Sequence, residues 1–430
     1  MKFPHRDLAM ILASAGLLAT MLPSPSTAGQ MPTGKPEEAG VSTERLQRIH
    51  QAMERHIEAG EISGAVTLVA RHGKIVHFQA HGLMDLESKK SMTTDAIFRI
   101  ASMTKPITGV AVMMMVEEGK IRLNDPVSRF IPEFKDTKVA VPRDSITPRP
   151  PGQRSGDPDF YLAPAFREIT IRDLLTHTSG LISGGIGARE AAKSTPKTPT
   201  DTLASYVPRL GSVALDFQPG TQWAYSGAAG PEVLGRIVEI VSGQPYDRFL
   251  QTRIFEPLGM KDTFFYPPDD RRPRLVTLYD KSPNGLRKSA NQDGFSSKTF
   301  FGAGGGLMST AEDYLQLAQM LSNGGKLNGH VLLSPRTVQL MAANHVGDMF
   351  NGKLGRPAHG MGYGLLMGVI EDSVASGLRV STGSFGWDGA YGTQAWIDPT
   401  EKMVTIIMIQ TQVTPVQRDF ENAVMQAIVE

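Results

Sequence analysis

Apolar positions along the chain recur with two different periods. Over residues 43–59 they fall at Leu46, Ile49, Met53 and Ile57, one stripe of a helix that Ser42 would cap. Residues 65–70 and 75–80 are short apolar runs on either side of Arg71-His72-Gly73-Lys74, the pattern of an antiparallel hairpin. A second hairpin is predicted at 393–397 and 403–409, across Asp398-Pro399-Thr400-Glu401, and a last helix over 416–428. Both ends supply strands plus a helix, so the expectation is one antiparallel sheet shared between them.

Between the ends the pattern changes. Residues 135–168 are rich in proline and charge, with Pro142, Pro148, Pro150 and Pro151 close together, and read as a surface excursion. Helical patterns dominate afterwards, at 171–175, 230–241, 247–254 and 310–321. The last follows Ser309 with Glu312 three positions on, a capping box. There is no internal repeat and no low-complexity tract. The predicted architecture is α+β. Residues 29–120 and 301–430 would form an α/β sandwich domain, an antiparallel sheet flanked by helices, and 121–300 a mostly helical domain inserted between them.

Composition narrows the function classes. The 430 residues are 40% hydrophobic and 20% charged, enough to bury a large core. With 44 basic against 43 acidic side chains the net charge is +1, and no long basic run stands out. That removes the electrostatic footprint nucleic-acid binding needs, and a polybasic membrane patch with it. The absence of cysteine excludes disulfides, thiolate zinc sites, a cysteine nucleophile and a lipoprotein anchor together. Any nucleophile here carries oxygen or nitrogen. Oligomeric state has no signature in the sequence.

The N-terminus reads as a signal rather than as fold. Lys2, His5 and Arg6 form a basic start, 8–22 is largely apolar, and Ser26-Thr27-Ala28 has the small-x-small pattern of a cleavage site. The apolar run of about 15 residues falls short of the roughly 20 that span a bilayer. The expectation is a cleaved signal peptide at 1–28, a mature protein beginning near Gly29 in the periplasm or outside the cell, and no membrane span thereafter.

The search for chemistry leaves one pattern. There is no G-x-S-x-G elbow and no H-E-x-x-H. His77 and His81 share a strand face, but no third ligand suggests itself nearby, so no metal site is expected. Gly302, Gly304, Gly305 and Gly306 do not fit a dinucleotide fingerprint and suit close backbone approach instead. No cofactor is implied. What remains is Ser102-Met103-Thr104-Lys105: a serine and a lysine three apart at a helix start lie on one face, with the serine in the positive end of the helix dipole. A second copy, Ser194-Thr195-Pro196-Lys197, is set aside because Pro196 and its Thr/Pro-rich surroundings oppose a helix.

Around the first copy the chain resembles the β-lactamase-like serine hydrolases: class C β-lactamases, DD-peptidases and above all family VIII carboxylesterases. The likeness runs from about Lys35 to the C-terminus. It rests on Phe98-Arg99-Ile100-Ala101-Ser102-Met103-Thr104-Lys105-Pro106, Ile171-Arg172-Asp173-Leu174-Leu175-Thr176-His177-Thr178-Ser179-Gly180-Leu181 and Phe217-Gln218-Pro219-Gly220-Thr221. It continues through Pro257-Leu258-Gly259-Met260, Gly305-Gly306-Leu307-Met308-Ser309-Thr310 and Gly386-Trp387-Asp388-Gly389-Ala390-Tyr391-Gly392-Thr393. The resemblance implies a β-lactamase/transpeptidase-like fold, Ser102 as nucleophile, Lys105 as its base partner and Tyr225 as a second proton shuttle. It also implies an oxyanion hole from the N–H groups of Ser102 and Ala390, and substrate contacts from Trp387, Asp388 and Gly389. His177 would brace a loop. Making a free lysine neutral at pH 7 costs about 4.6 kcal/mol. Burial can offset that, or a tyrosinate can stand beside a charged lysine, and the sequence leaves the two open.

Departures from the penicillin-recognising pattern bear on substrate. Gly227 stands where those relatives carry asparagine, and Trp387-Asp388-Gly389 where they carry Lys-Thr-Gly or His-Thr-Gly. Losing an amide and a cation removes groups that would meet a lactam side chain and carboxylate. The expected activity is hydrolysis of a small-molecule ester. A β-lactamase, a DD-peptidase or a non-catalytic penicillin-binding-like module are the alternatives. Asp388 would repel anionic substrates by roughly 1.4 to 2.8 kcal/mol at about 6 Å. Strand alternation allows instead that it faces away and pairs with an arginine.

Overall fold

The structure, a computed structural model, describes Met1 and residues 31–143 and 159–430. Apart from Met1, the expected signal peptide lies outside the described residues, as does the middle of the proline-rich excursion. Among the described residues no helix is long and apolar enough to cross a membrane.

Both ends of the chain build one eight-stranded antiparallel sheet. The N-terminal part supplies β1 (Gly64–Arg71), β2 (Lys74–Asp85) and the short β3 (Lys90–Ser91). The C-terminal part supplies β4 (Met361–Tyr363), β5 (Gly368–Ile370), β6 (Phe385–Asp388), β7 (Gln394–Asp398) and β8 (Met403–Met408). In space they run β4-β5-β6-β7-β8-β1-β2-β3. The seam between the two ends is β1 on β8, with Val66 opposite Met408 and Arg71 opposite Met403. Both predicted hairpins are present. His72 and Gly73 close the first with φ of 52° and 76°, the two left-handed residues whose twist matches that of the strands. In the second, the Asp398 carboxylate accepts the N–H groups of Thr400 and Glu401, each at 3.1 Å.

The two faces of the sheet bury different helices. Ala65 and Val69 of β1 pack with α1 (Thr43–Glu58) and a C-terminal helix (Thr414–Met425), whereas Val66, Leu68 and Ala70 join the larger core around α2 (Thr104–Glu117). Ser42 caps α1 by accepting the Arg45 N–H, and Leu46, Ile49 and Met53 lie buried on one stripe. Each such side chain contributes about 1.5–3 kcal/mol of burial. Every residue from Thr104 to Met115 is buried, so α2 is a central helix without a polar face. The same core continues into α3 (Ile171–Leu175) and α4 (Ala229–Ser242), through Leu174, Val233 and Ile237.

Three expectations are corrected. The helix Ala311–Ser322 is capped by Thr310, whose Oγ1 accepts the Asp313 N–H at 3.1 Å, and not by Ser309. Met308 and Ser309 are drawn into a two-residue ladder with Phe98 and Arg99, so the helix starts one residue later. The 135–168 excursion contains a hairpin, Lys138–Pro142 on Phe160–Pro164, whose prolines sit at the strand ends, where a missing N–H is tolerated. The 247–254 helix splits into Tyr246–Leu250 and a π-helical turn, Gln251–Phe255.

Candidate active site

The Phe98–Arg99 ladder delivers the chain to the site. The Ile100 N–H donates to the Leu307 carbonyl at 3.1 Å, and Ala101 then turns with φ of 44°, a left-handed backbone costing a non-glycine residue about 1–3 kcal/mol. Ser102 therefore sits in a 3-10 turn, Ala101–Met103, immediately before α2 rather than in the α-helix itself. Lys105 occupies the first turn of α2 and is wholly buried, while Ser102 stays half-buried.

Lys105 links the parts of the site. Its Nζ donates to Ser102 Oγ at 3.1 Å and to the Gly304 carbonyl at 2.7 Å, and lies 4.8 Å from the centre of the Tyr225 ring. The glycine run before the Ala311 helix supplies the close approach expected of it: a Cβ on Gly304 would lie 2.6 Å from the Gly227 carbonyl oxygen. Only glycine lets the Gly304 carbonyl reach Lys105 while the Tyr225-Ser226-Gly227 segment lies against it.

Tyr225 is held by aromatic neighbours. Its hydroxyl oxygen accepts the Trp387 Nε1–H at 3.2 Å, so β6 binds it at the position of the third motif. The His177 ring packs on it with centroids 4.7 Å apart, and Trp223 and Tyr363 complete the cage. His177 is strained, with φ of 57°, and its carbonyl accepts the Ala224 N–H at 3.1 Å. Burial first, and the Lys105 charge second, push its pKa well below that of an ordinary imidazole. Neither ring nitrogen has a hydrogen-bond partner among the described residues. A neutral His177 braces the Tyr225 loop and has no line of proton transfer.

The end of β6 is pressed against the Ser102 turn. A Cβ on Gly389 would fall 2.1 Å from Thr393 Oγ1 and 2.5 Å from the Ile100 carbonyl oxygen, so this position admits glycine alone. The Gly389 N–H donates to the Thr393 carbonyl at 2.7 Å and the Gly392 N–H to the Gly389 carbonyl at 2.9 Å, leaving exposed Ala390 at the tip of the turn.

Asp388 differs from the expectation of a free, repelling carboxylate. It forms an ion pair with Arg356 and accepts Gln394 Nε2–H at 3.1 Å. Trp387 enters the aromatic cage, and Arg356, at the edge of β6, pairs with Asp388 and also lies 5.5 Å from the centre of the Trp387 ring. The pair cancels the charge on which repulsion of anionic substrates would depend. A cavity of about 480 Å³ lies alongside, walled by Arg356, Asp388, Gly389, Gln394, Trp396 and Glu421. Ser102 is not among its walls, so it flanks the site rather than containing it.

The second serine–lysine copy is not brought together. Ser194 ends a helix, Ile186–Ser194, where the sequence reading expected none, and its Oγ donates to the Glu190 carbonyl at 3.0 Å. Lys197 donates instead to Glu232 at 2.9 Å. Sequence reasoning missed the Gly304 carbonyl, the Trp223–Tyr363 cage and Arg356. The glycine run was visible, but its acceptor role was not, and Arg356 has no local signature.

Comparison with known proteins gives the setting. The Beta-lactamase family model matches residues 49–430. Protein Rv1367c of Mycobacterium tuberculosis is 36% identical over 375 residues, 84% of this chain and 89% of that protein. Esterase EstB of Burkholderia gladioli is 29% identical over 398 residues, covering 85% of this chain and 90% of its own. Among solved structures, EstCE1, described as a hydrolase with promiscuous acyltransferase activity, superimposes with a TM-score of 0.73 at 28% identity over 89% of this chain and 99% of that one.

Proposed function

The chain belongs to the Beta-lactamase family, and on that premise we propose that it is an exported serine carboxylesterase, hydrolysing short-chain esters through an acyl-enzyme on Ser102. The observation that carries the reading is the buried Lys105 Nζ held 3.1 Å from Ser102 Oγ, under the Tyr225 ring. Its similarity to EstB and EstCE1 supports ester over lactam chemistry, as do Gly227 and Trp387 in place of an asparagine and a cation.

In this reading Ser102 Oγ attacks the ester carbonyl and its proton passes to the Lys105–Tyr225 pair. The carbonyl oxygen becomes an oxyanion held by the N–H groups of Ser102 and Ala390. Collapse breaks the bond to the alkoxy oxygen, which takes the proton back from the pair and leaves as alcohol. Water then repeats the sequence on the acyl-enzyme, releasing the acid and restoring Ser102. Trp387, by donating to the Tyr225 oxygen, holds the phenol in place and leaves its hydrogen free for another acceptor. Gly389 sets the oxyanion turn, and Asp388 anchors Arg356 across the edge of Trp387.

Substrate class is tested by comparing kcat/KM for p-nitrophenyl acetate and butyrate with that for nitrocefin and a D-Ala-D-Ala peptide. The esters are expected to lead. A lactam or peptide above the best ester would make the protein a β-lactamase or DD-peptidase. Export is tested at the N-terminus: the mature protein should begin near Gly29 in periplasm or medium, and an intact Met1 in the membrane fraction would refute it.

A further inference from the structure

The second candidate chemistry in the chain lies across the sheet from Ser102. In the β1–β2 ladder, His81 is opposite Ala65 and His77 opposite Val69, so both histidines point to the face that α1 covers. There α1 supplies what the strand alone lacks. His50 and Glu54, four apart on one helical face, meet His81, and the three side chains each bring a ligand atom within 4.8 Å of the others.

The geometry is that of a cation site with an oriented inner ligand. His81 is buried, and its Nε2 is 2.9 Å from Thr67 Oγ1, which is also 2.8 Å from His77 Nε2. Held there, His81 turns Nδ1 toward His50 Nδ1 at 3.2 Å. Tetrahedral zinc with bonds to nitrogen of roughly 2.0–2.1 Å has ligand-to-ligand edges of about 3.3–3.4 Å, close to that separation. Two neutral imidazoles alone would share one proton across the gap and would need no carboxylate. Glu54 Oε1 nevertheless stands 3.9 Å from His50 Nδ1 and brings the negative charge a divalent cation requires.

We propose that His50, Glu54 and His81 form a binding site for a divalent transition metal of the zinc class, which ties α1 to β2 and plays no part in ester hydrolysis. Two imidazoles and a carboxylate are a donor set that suits zinc, cobalt or nickel and disfavours calcium or magnesium. His50 and Glu54 have side chains 57% and 39% exposed, so the fourth position opens to solvent and the ion has an entry path. Thr67 fixes the His81 ring from behind, as outer partners of metal-bound histidines do.

The test uses the untagged mature protein, stripped with chelator and titrated with zinc alone by calorimetry, then with cobalt, whose visible bands report low coordination number. One equivalent of zinc is expected to bind. It should raise the melting temperature while kcat and KM for the ester stay the same. His50→Gln, on the exposed side of the helix, should weaken binding by more than about 100-fold, and Thr67→Val, which keeps all three ligands, by about 10-fold. If His81→Gln misfolds, His50→Gln and Glu54→Gln still decide the matter. Absence of zinc heat and cobalt bands in the unaltered protein overturns the site, as does equal binding by His50→Gln.

Discussion

Replacing Ser102 by alanine should lower kcat/KM for p-nitrophenyl butyrate by at least about 10⁴ and leave the fold intact, because the change removes the bond-forming atom and little else. The turn that carries Ser102 does not depend on its hydroxyl: it is set by the Ala101 backbone, the Ile100–Leu307 hydrogen bond and the contact from Gly389. Lys105 keeps the Gly304 carbonyl as acceptor at 2.7 Å, so its buried Nζ is not left without a partner and the stability cost stays near 1 kcal/mol. A fluorophosphonate should label Ser102 in the native protein and nothing in the variant. Ser194→Ala serves as the control, since that hydroxyl is committed to the Glu190 carbonyl and its lysine partner to Glu232. An adduct on Ser194, or turnover surviving in Ser102→Ala, would show that the wrong serine has been assigned.

What could be read from the sequence was local. The α1 stripe, its Ser42 cap, the His72–Gly73 turn and the β7–β8 hairpin all arise from residues within a few positions of one another, and all are present in the fold. The Ser102–Lys105 spacing was legible for the same reason. The site's remaining parts come from far along the chain. The Gly304 carbonyl reaches Lys105 from 199 positions away, and Trp387 reaches Tyr225 from 162. No window of sequence contains such a pair. Ser309 and Thr310 are equally able to cap a helix, and only the pairing of Phe98 with Ser309, made by tertiary structure, selects the second. Strands β4 and β5 have three residues each, too few for an alternating pattern to register. His81 shows the same limit, since its neighbours His50 and Glu54 belong to a helix that the hairpin pattern could not dock.

Lys105→Ala and Tyr225→Phe should each cost on the order of 10² to 10⁴ in kcat, with kcat/KM falling in step, because each removes a partner needed when the proton moves and not when the ester binds. The two variants differ in what else they disturb. Tyr225→Phe deletes one oxygen and keeps the ring against His177 and Lys105, at a structural cost of about 1–3 kcal/mol for the Trp387 N–H left without its acceptor. Lys105→Ala empties a wholly buried position and also strands the Gly304 carbonyl, so its melting temperature must be measured beside its activity. The double variant separates a shared proton path from two independent contributions. If the lysine and the tyrosine hand one proton between Ser102 and the leaving alcohol, breaking the path once is enough, and the double variant should be little slower than the worse single one. Multiplying losses would mean that the residues act at different steps. A fully active Tyr225→Phe would leave Lys105 as the sole base, and the Trp387 contact would then only hold the ring that covers it.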